Sequence, residues 1–185
     1  ERKAARNRTH TDDGARVPAR GRSEAFRARW REEPSARLDR VEFVHEDPRT
    51  LKNTVARTQR RLLRVIDEAG SEVEIHTPYL VPARELLGAV ARARERGVTV
   101  RFVTNSLSTS KGHELLAQWA YESQLRSLAA AGGEVWELKG PRVMHAKTVV
   151  ADRRHVYIGS FNMDQRSRRL QKETGILADA PGLAE

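Results

Sequence analysis

Three β-forming runs separated by glycine-punctuated helical stretches constrain this chain more than any other feature. "SEVEIHTPYLV" is rich in strand formers and ends in prolines, "VTVRFVTN" is a second strand, and "EVWEL" a third. Between the first two, "ARELLGAVARARER" sets Leu86, Leu87, Val90 and Ala93 along one helical face before Gly97 closes it. Between the second and third, the spacing predicts a helix from about His113 to Ala131, with Leu115, Leu116, Trp119 and Leu125 inward and Gly132-Gly133 as its stop. Strand, helix, strand, helix, strand calls for an α/β fold, a parallel or mixed sheet with helices on its faces. It also puts ligand contacts at the carboxyl ends of the strands. Tyr79, Asn105 and Ser106 fall at two such ends and are expected to line a substrate, although Asn and Ser there are also ordinary helix-entry residues.

The flanks have a different character. Up to about Arg40 the periodicity is poor, with Gly, Pro and Ser scattered through an Arg-rich background and at most a short helix at "SEAFRARW". This stretch reads as an irregular linker or tail from an upstream lobe (residues 1–40), ahead of a single lobe over residues 41–185. "RVEFVH" alternates like a strand. Leu51, Val55, Leu62, Leu63 and Ile66 then recur at helical spacing up to Gly70, expected as a left-handed stop. In the last third, "VMHAKTVVA" and "HVYIGS" form a hairpin across a tight Asp-Arg-Arg turn, and "KETGILA" adds a strand.

Composition removes several chemistries. The 185 residues include no cysteine, which excludes disulfides, thiolate zinc sites and a thiol nucleophile. No apolar run approaches the roughly 18 residues of a spanning helix, so any encounter with a membrane is expected at its surface. The formal net charge of +9 suits an anionic partner, either nucleic acid or acidic lipid headgroups. Arg153, Arg154, Arg166, Arg168 and Arg169 cluster in sequence and would serve either.

The window from Met144 to Asn162, "MHAKTVVADRRHVYIGSFN", carries the chemistry. Alternate residues of an extended segment share a side, so His145 and Lys147 face one ligand together. Ser160 and Asn162 follow the partner strand, where Gly159 allows close backbone approach. A fixed cation with several neutral donors is a cradle for phosphate oxygens, and donors aimed at the charge that builds on those oxygens stabilise the transition state selectively. An imidazole in that cradle can attack phosphorus or protonate the departing alkoxide, and the residues leave both roles open. Glu173 is the candidate for orienting His145. Asp152, at the hairpin turn, belongs to the same constellation, with a turn or ion-pair role favoured.

His145-x-Lys147, four residues, Asp152, six residues, Gly159-Ser160-x-Asn162 resembles the HKD motif of the phospholipase D superfamily. Six specified positions at fixed spacing arise by chance on the order of once in a million chains of this length, which makes the resemblance specific. Over roughly Glu72 to Leu177 the finer resemblance is to bacterial cardiolipin synthases, in "IHTPYLVP", "VTNSL", "MHAK", "GSFNMDQRS" and "ETG". Asp164, Arg166 and Ser167 match an element that in this family marks lipid transphosphatidylases. Gln171 departs from the family's usual Asn.

The resemblance implies a phospholipase D-type sandwich lobe, a mixed β-sheet flanked by helices, and metal-independent phosphatidyl transfer through a phosphohistidine, with no cofactor. It assigns catalytic parts to His145, Lys147, Asp152, Asn162 and Glu173, and phosphate binding to Lys147, Ser160 and Asn162. Two such motifs are required, and none of His10, His45, His76, His113 or His155 is followed two residues later by Lys. Half a site is therefore expected, completed by an upstream lobe or by a homodimer partner. The expected partner is anionic phospholipid such as phosphatidylglycerol, at the cytoplasmic face of the membrane as a peripheral protein. The alternatives are a nuclease of the same superfamily acting as a two-fold dimer and a noncatalytic lobe that binds anionic lipid or a protein.

Overall fold

The computed structural model describes residues 38–46, 56–106, 124–139 and 143–181. The expected short helix at "SEAFRARW", the start of the helix expected from Leu51, and Leu115, Leu116 and Trp119 lie outside them. The elements are β1 (Arg40–His45), α1 (Arg57–Glu68), β2 (Glu72–His76), α2 (Arg84–Glu95), β3 (Thr99–Asn105), a helical stretch α3 (124–130), β4 (Glu134–Leu138), β5 (Thr148–Ala151), β6 (His155–Gly159), α4 (Gln165–Arg169) and β7 (Thr174–Asp179). The strands form one sheet in the order β1-β7-β6-β5-β2-β3-β4. β2, β3 and β4 run parallel, and every other pairing is antiparallel. This is the expected mixed sheet, with β5 in the middle joining its two halves.

The period-2 pattern of the strands decides which side is core. Val73, Ile75, Val100, Phe102, Val149, Ala151, Tyr157 and Leu177 are buried against Leu62, Val65 and Ile66 of α1, Leu86, Ala89, Val90 and Ala93 of α2, and Leu128 of α3. Along the other side the register aligns Phe43, Ile176, Ile158, Thr148, His76, Val103 and Trp136 across all seven strands. Phe43, Ile158, Ile176 and Trp136 of that row remain exposed.

Helix α1 illustrates long-range control of a local element. Ala56 precedes it and offers no side-chain cap. Instead the carboxylate of Glu46, just after β1, accepts from the backbone N–H groups of Arg57 and Thr58, each at 2.8 Å. Its end also differs from expectation. Gly97 and Gly132 take positive φ, as helix stops commonly do, but Gly70 does not. The chain leaves α1 in an extended conformation at Ala69, and Asp152 holds the segment that leads into β2. The Asp152 carboxylate accepts from the N–H groups of Gly70 (2.9 Å), Ser71 (2.8 Å) and Glu72 (3.1 Å) and from the Ser71 hydroxyl (2.8 Å). Asp152 and Arg153 themselves hold φ of 54° and 51°, the left-handed region that tight hairpin turns require. Asp152 therefore takes the turn role. Its carboxylate faces the start of β2, at the end of β5 away from His145.

β6 and β7 approach closely through a glycine pair. Gly159 lies opposite Gly175, and the ring of Tyr157 fills the space over both. A Cβ on Gly175 would sit 2.3 Å from Tyr157 Cε2. Burial pushes the Tyr157 phenol up to about 12, so the ring stays neutral.

Two measurements test these supports. Gly175→Ala should lower stability by about 2–3 kcal/mol through overpacking, roughly 5–10 °C in Tm, and adding Tyr157→Leu should restore part of it. If the double variant melts no higher than Gly175→Ala alone, Tyr157 is not what the methyl meets. The second test concerns pH. Desolvation pushes the Asp152 carboxyl up, but bonds from Gly70, Ser71 and Glu72 outweigh it and hold the group at about 2. A depressed carboxylate stabilises the fold above its ordinary pKa of 3.8 and loses that contribution as pH falls through about 2. Asp152→Asn should therefore cost about 1–2 kcal/mol at neutral pH, after allowing for solvent screening. The gap from the parent protein, followed by denaturant melts, should shrink below about pH 4.

Candidate active site

The candidate site forms where the approach to β5, the exit of β6 and the loop after β2 converge. His145 and Lys147 lie on the segment leading into β5, so the strand expected to contain them begins only at Thr148. They share a side as their spacing requires. Lys147 Nζ donates to the His145 carbonyl oxygen at 3.1 Å and lies 3.4 Å from both imidazole nitrogens. The imidazole is exposed and Lys147 half-buried. Partial burial lowers the Lys147 pKa, with the carboxylates of Glu173 and Asp164 pulling the other way. The Tyr79 ring stands nearly edge-on to His145, with centroids 6.5 Å apart.

Asn105 has a different place from the one expected. It is 2% exposed, and its amide is spent on backbone. Met144 N donates to its Oδ1 at 2.9 Å, while its Nδ2 donates to Met144 O at 3.0 Å and to Pro78 O at 3.4 Å. It mimics a strand partner for the residue just before His145, and it has no free face for a substrate. Ser106 is likewise buried, its N–H bonded to Leu138 O at 3.2 Å. Of the three strand-end residues, only Tyr79 adjoins the imidazole.

Thr77 joins the two halves of the site, and nothing in the motif pointed to it. Its hydroxyl donates to Tyr79 O at 2.9 Å and accepts from Met163 N at 3.2 Å. Val81 N then donates to Met163 O at 2.9 Å. The loop bearing Tyr79 is thereby tied to the segment bearing Asn162.

Ser160 and Glu173 form a pair across β6 and β7. The Ser160 hydroxyl donates to the buried Glu173 carboxylate and accepts from Thr174 N at 3.0 Å. No hydrogen bond joins Glu173 to His145, so the expected orienting contact is replaced by one to Ser160, with Lys147 close enough to feel the charge. Asn162 donates its backbone N–H to Ser167 Oγ at 3.2 Å, and its side-chain Oδ1 is buried with no hydrogen-bond partner among the described residues. An orphaned buried acceptor costs roughly 1–3 kcal/mol, and since phosphate oxygens only accept, it is the Nδ2 donor of this amide that suits a phosphate.

The element after the motif is a capping device. Asp164 accepts from Ser167 N at 2.8 Å to start α4, and Ser167 Oγ donates to Gln171 Oε1 at 3.1 Å. Gln171, the departure from the resembled pattern, thus still supplies an amide oxygen to this network. Among the described residues no three His, Asp or Glu side chains gather in a metal-holding arrangement.

Comparison with known proteins places this geometry. The sequence matches the family described as "Cardiolipin synthase, PLD-like domain" over residues 62–185. Cardiolipin synthase A of Buchnera aphidicola subsp. Acyrthosiphon pisum (strain APS) is 32% identical over 140 residues, 75% of this chain and 27% of that protein. The Edwardsiella ictaluri cardiolipin synthase A is 30% identical over 65% of this chain and 24% of its own length. The chain thus spans about a quarter of these relatives. Among solved structures, the fold is similar to a phospholipase D family member, Nuc from Salmonella typhimurium (TM-score 0.59, 20% identity, 78% of this chain and 86% of that one). It is also similar to phosphatidylserine synthase from Haemophilus influenzae Rd KW20 (TM-score 0.59, 20% identity, 96% and 44%). Both likenesses bear on the fold, and the family match over most of the chain carries the assignment: the chain belongs to the phospholipase D-like domain family of the cardiolipin synthases.

Proposed function

We propose that this chain is one catalytic lobe of a phosphatidyltransferase of the cardiolipin synthase kind, contributing half of a two-histidine site. The observation that carries the reading is the Lys147 ammonium 3.4 Å from both ring nitrogens of His145, which sets a fixed cation beside an exposed imidazole. The half-buried Asn162 and the Ser160–Glu173 pair sit on the neighbouring strand exit.

One histidine of the complete site attacks the phosphorus of a phospholipid such as phosphatidylglycerol, forming an N–P bond as the P–O bond to the headgroup alcohol breaks. The second histidine gives its proton to the departing alkoxide. An acceptor alcohol then returns its proton to that histidine and attacks phosphorus, and the N–P bond breaks. His145 fills one of these two roles; the other belongs to an upstream lobe or a second copy of this chain. Lys147 and Asn162 hold the non-bridging oxygens as charge gathers on them. The lobe would work as a peripheral protein at the cytoplasmic face of the membrane. Among the described residues no helix is long and apolar enough to cross one.

In the complete protein, His145→Ala should abolish phosphatidyl transfer in a vesicle assay, and Lys147→Ala should lower kcat about 10²–10³-fold. Retained transfer in His145→Ala would overturn the reading. Metal-independent cleavage of DNA by a dimer with no transfer on lipid would favour the nuclease instead. Asn105→Ala should lower kcat about tenfold with KM little changed, because it loosens the backbone before His145 without touching substrate. A change confined to KM would return Asn105 to the substrate's contacts.

A further inference from the structure

The five arginines clustered in sequence around the motif separate in space. Arg153 and Arg154 lie at the β5–β6 turn, bonded to Glu72 at 2.7 Å and to Asp179 at 2.7 and 2.9 Å. Arg168 is largely buried, its guanidinium held by Glu85 and by Gln59. Arg166 and Arg169 remain, and the fold brings a third arginine to them from far away in sequence. Arg84, at the start of α2, lines with Arg166, Arg169 and Leu170 an open groove of about 710 Å³ between α2 and α4, within the roughly 300–1,000 Å³ of small-ligand sites. None of these three arginines has a carboxylate partner among the described residues, and the groove's carboxylate, Glu85, is taken by Arg168. Leu170 is 64% exposed at its edge.

The groove's position matters as much as its charge. α2 follows the loop bearing Tyr79, which stands against His145, and α4 is capped by Asp164, whose charge reaches Lys147. The Arg168–Glu85 pair fastens the two helices to each other. Three guanidinium groups and an exposed leucine thus sit beside the site on a common support.

We infer that the α2–α4 groove is the surface by which this lobe docks on an anionic phospholipid bilayer, with Arg84, Arg166 and Arg169 on lipid phosphates and Leu170 against the interface. The inference rests on the lipid reading of the site and extends it, assigning bilayer contact to this groove and withholding it from the Arg153–Arg154 turn. Guanidinium forks suit phosphate oxygens, and each basic group near an anionic leaflet adds attraction that salt screens.

The test is sedimentation of the full chain with mixed phosphatidylcholine–phosphatidylglycerol vesicles. The double variant Arg84→Gln/Arg169→Gln is compared with Arg153→Gln/Arg154→Gln, which removes the same charge at the turn, and thermal melts check folding of both. The groove variant should bind about 30-fold more weakly, and the turn variant nearly as well as the parent. Equal loss in both, or in neither, overturns the proposal, as does a groove variant that loses duplex DNA binding but keeps vesicle binding. Turnover is read separately, in the complete protein that supplies both histidines, on a short-chain soluble phosphatidylglycerol, where the groove variant should match the parent protein. A matching loss there would make the groove part of the reacting site and overturn its docking role. Groove-dependent vesicle binding by a protein with no transferase activity would leave docking standing and remove only the transferase reading.

Discussion

The site depends on how β5 is held at its two ends. This strand is the middle of seven and the junction between the parallel and antiparallel halves of the sheet. At its entry, Asn105 supplies both a donor and an acceptor to the Met144 backbone. At its exit, Asp152 gathers the N–H groups of the segment that opens β2. Each is a side chain standing in where a backbone partner would otherwise be, and between them the register that sets His145 and Lys147 in place is fixed.

Around that strand the polar groups form a continuous chain of support. Thr77 ties the Tyr79 loop to Met163, Ser167 ties Asn162 to the start of α4, and Ser160 ties Glu173 to the exit of β6. The His145 imidazole is exposed while Asn105, Thr77, Ser167 and Glu173 are buried, an arrangement that leaves the ring accessible and limits movement of the backbone beneath.

Features encoded within a short window were legible in the sequence. The strand and helix alternation, the hairpin and the spacing of His145 and Lys147 each depend on neighbours a few residues apart, and each appears in the fold. Features that need a distant partner were not. Nothing near Ala56 announces that Glu46 caps α1, and Gly70 carries the composition of a left-handed stop while Asp152, some eighty residues away, removes the need for one. Asn105 looked like a substrate contact because a strand end is where such contacts occur, yet packing turned its amide inward. Glu173 was placed near the site by its motif, but its bond to Ser160 is set by the β6–β7 pairing, which the spacing alone does not reveal.

The clamp at Asp152 has a consequence for how the sheet comes together. It joins residues 81 and 82 positions apart, at the same seam where β2 meets β5. β2, α2 and β3 form a unit from nearby sequence, and so do β5, β6 and β7. Joining the two units requires closing a long loop, whose entropy must be overcome before the contacts that offset it are made. The β2–β5 seam, like the still longer-range β1–β7 pairing, therefore carries a loop-closure cost that the local hairpins do not, and the histidine precedes the end of that seam. His145 and Lys147 thus take their register only once strands from both halves of the sequence have met.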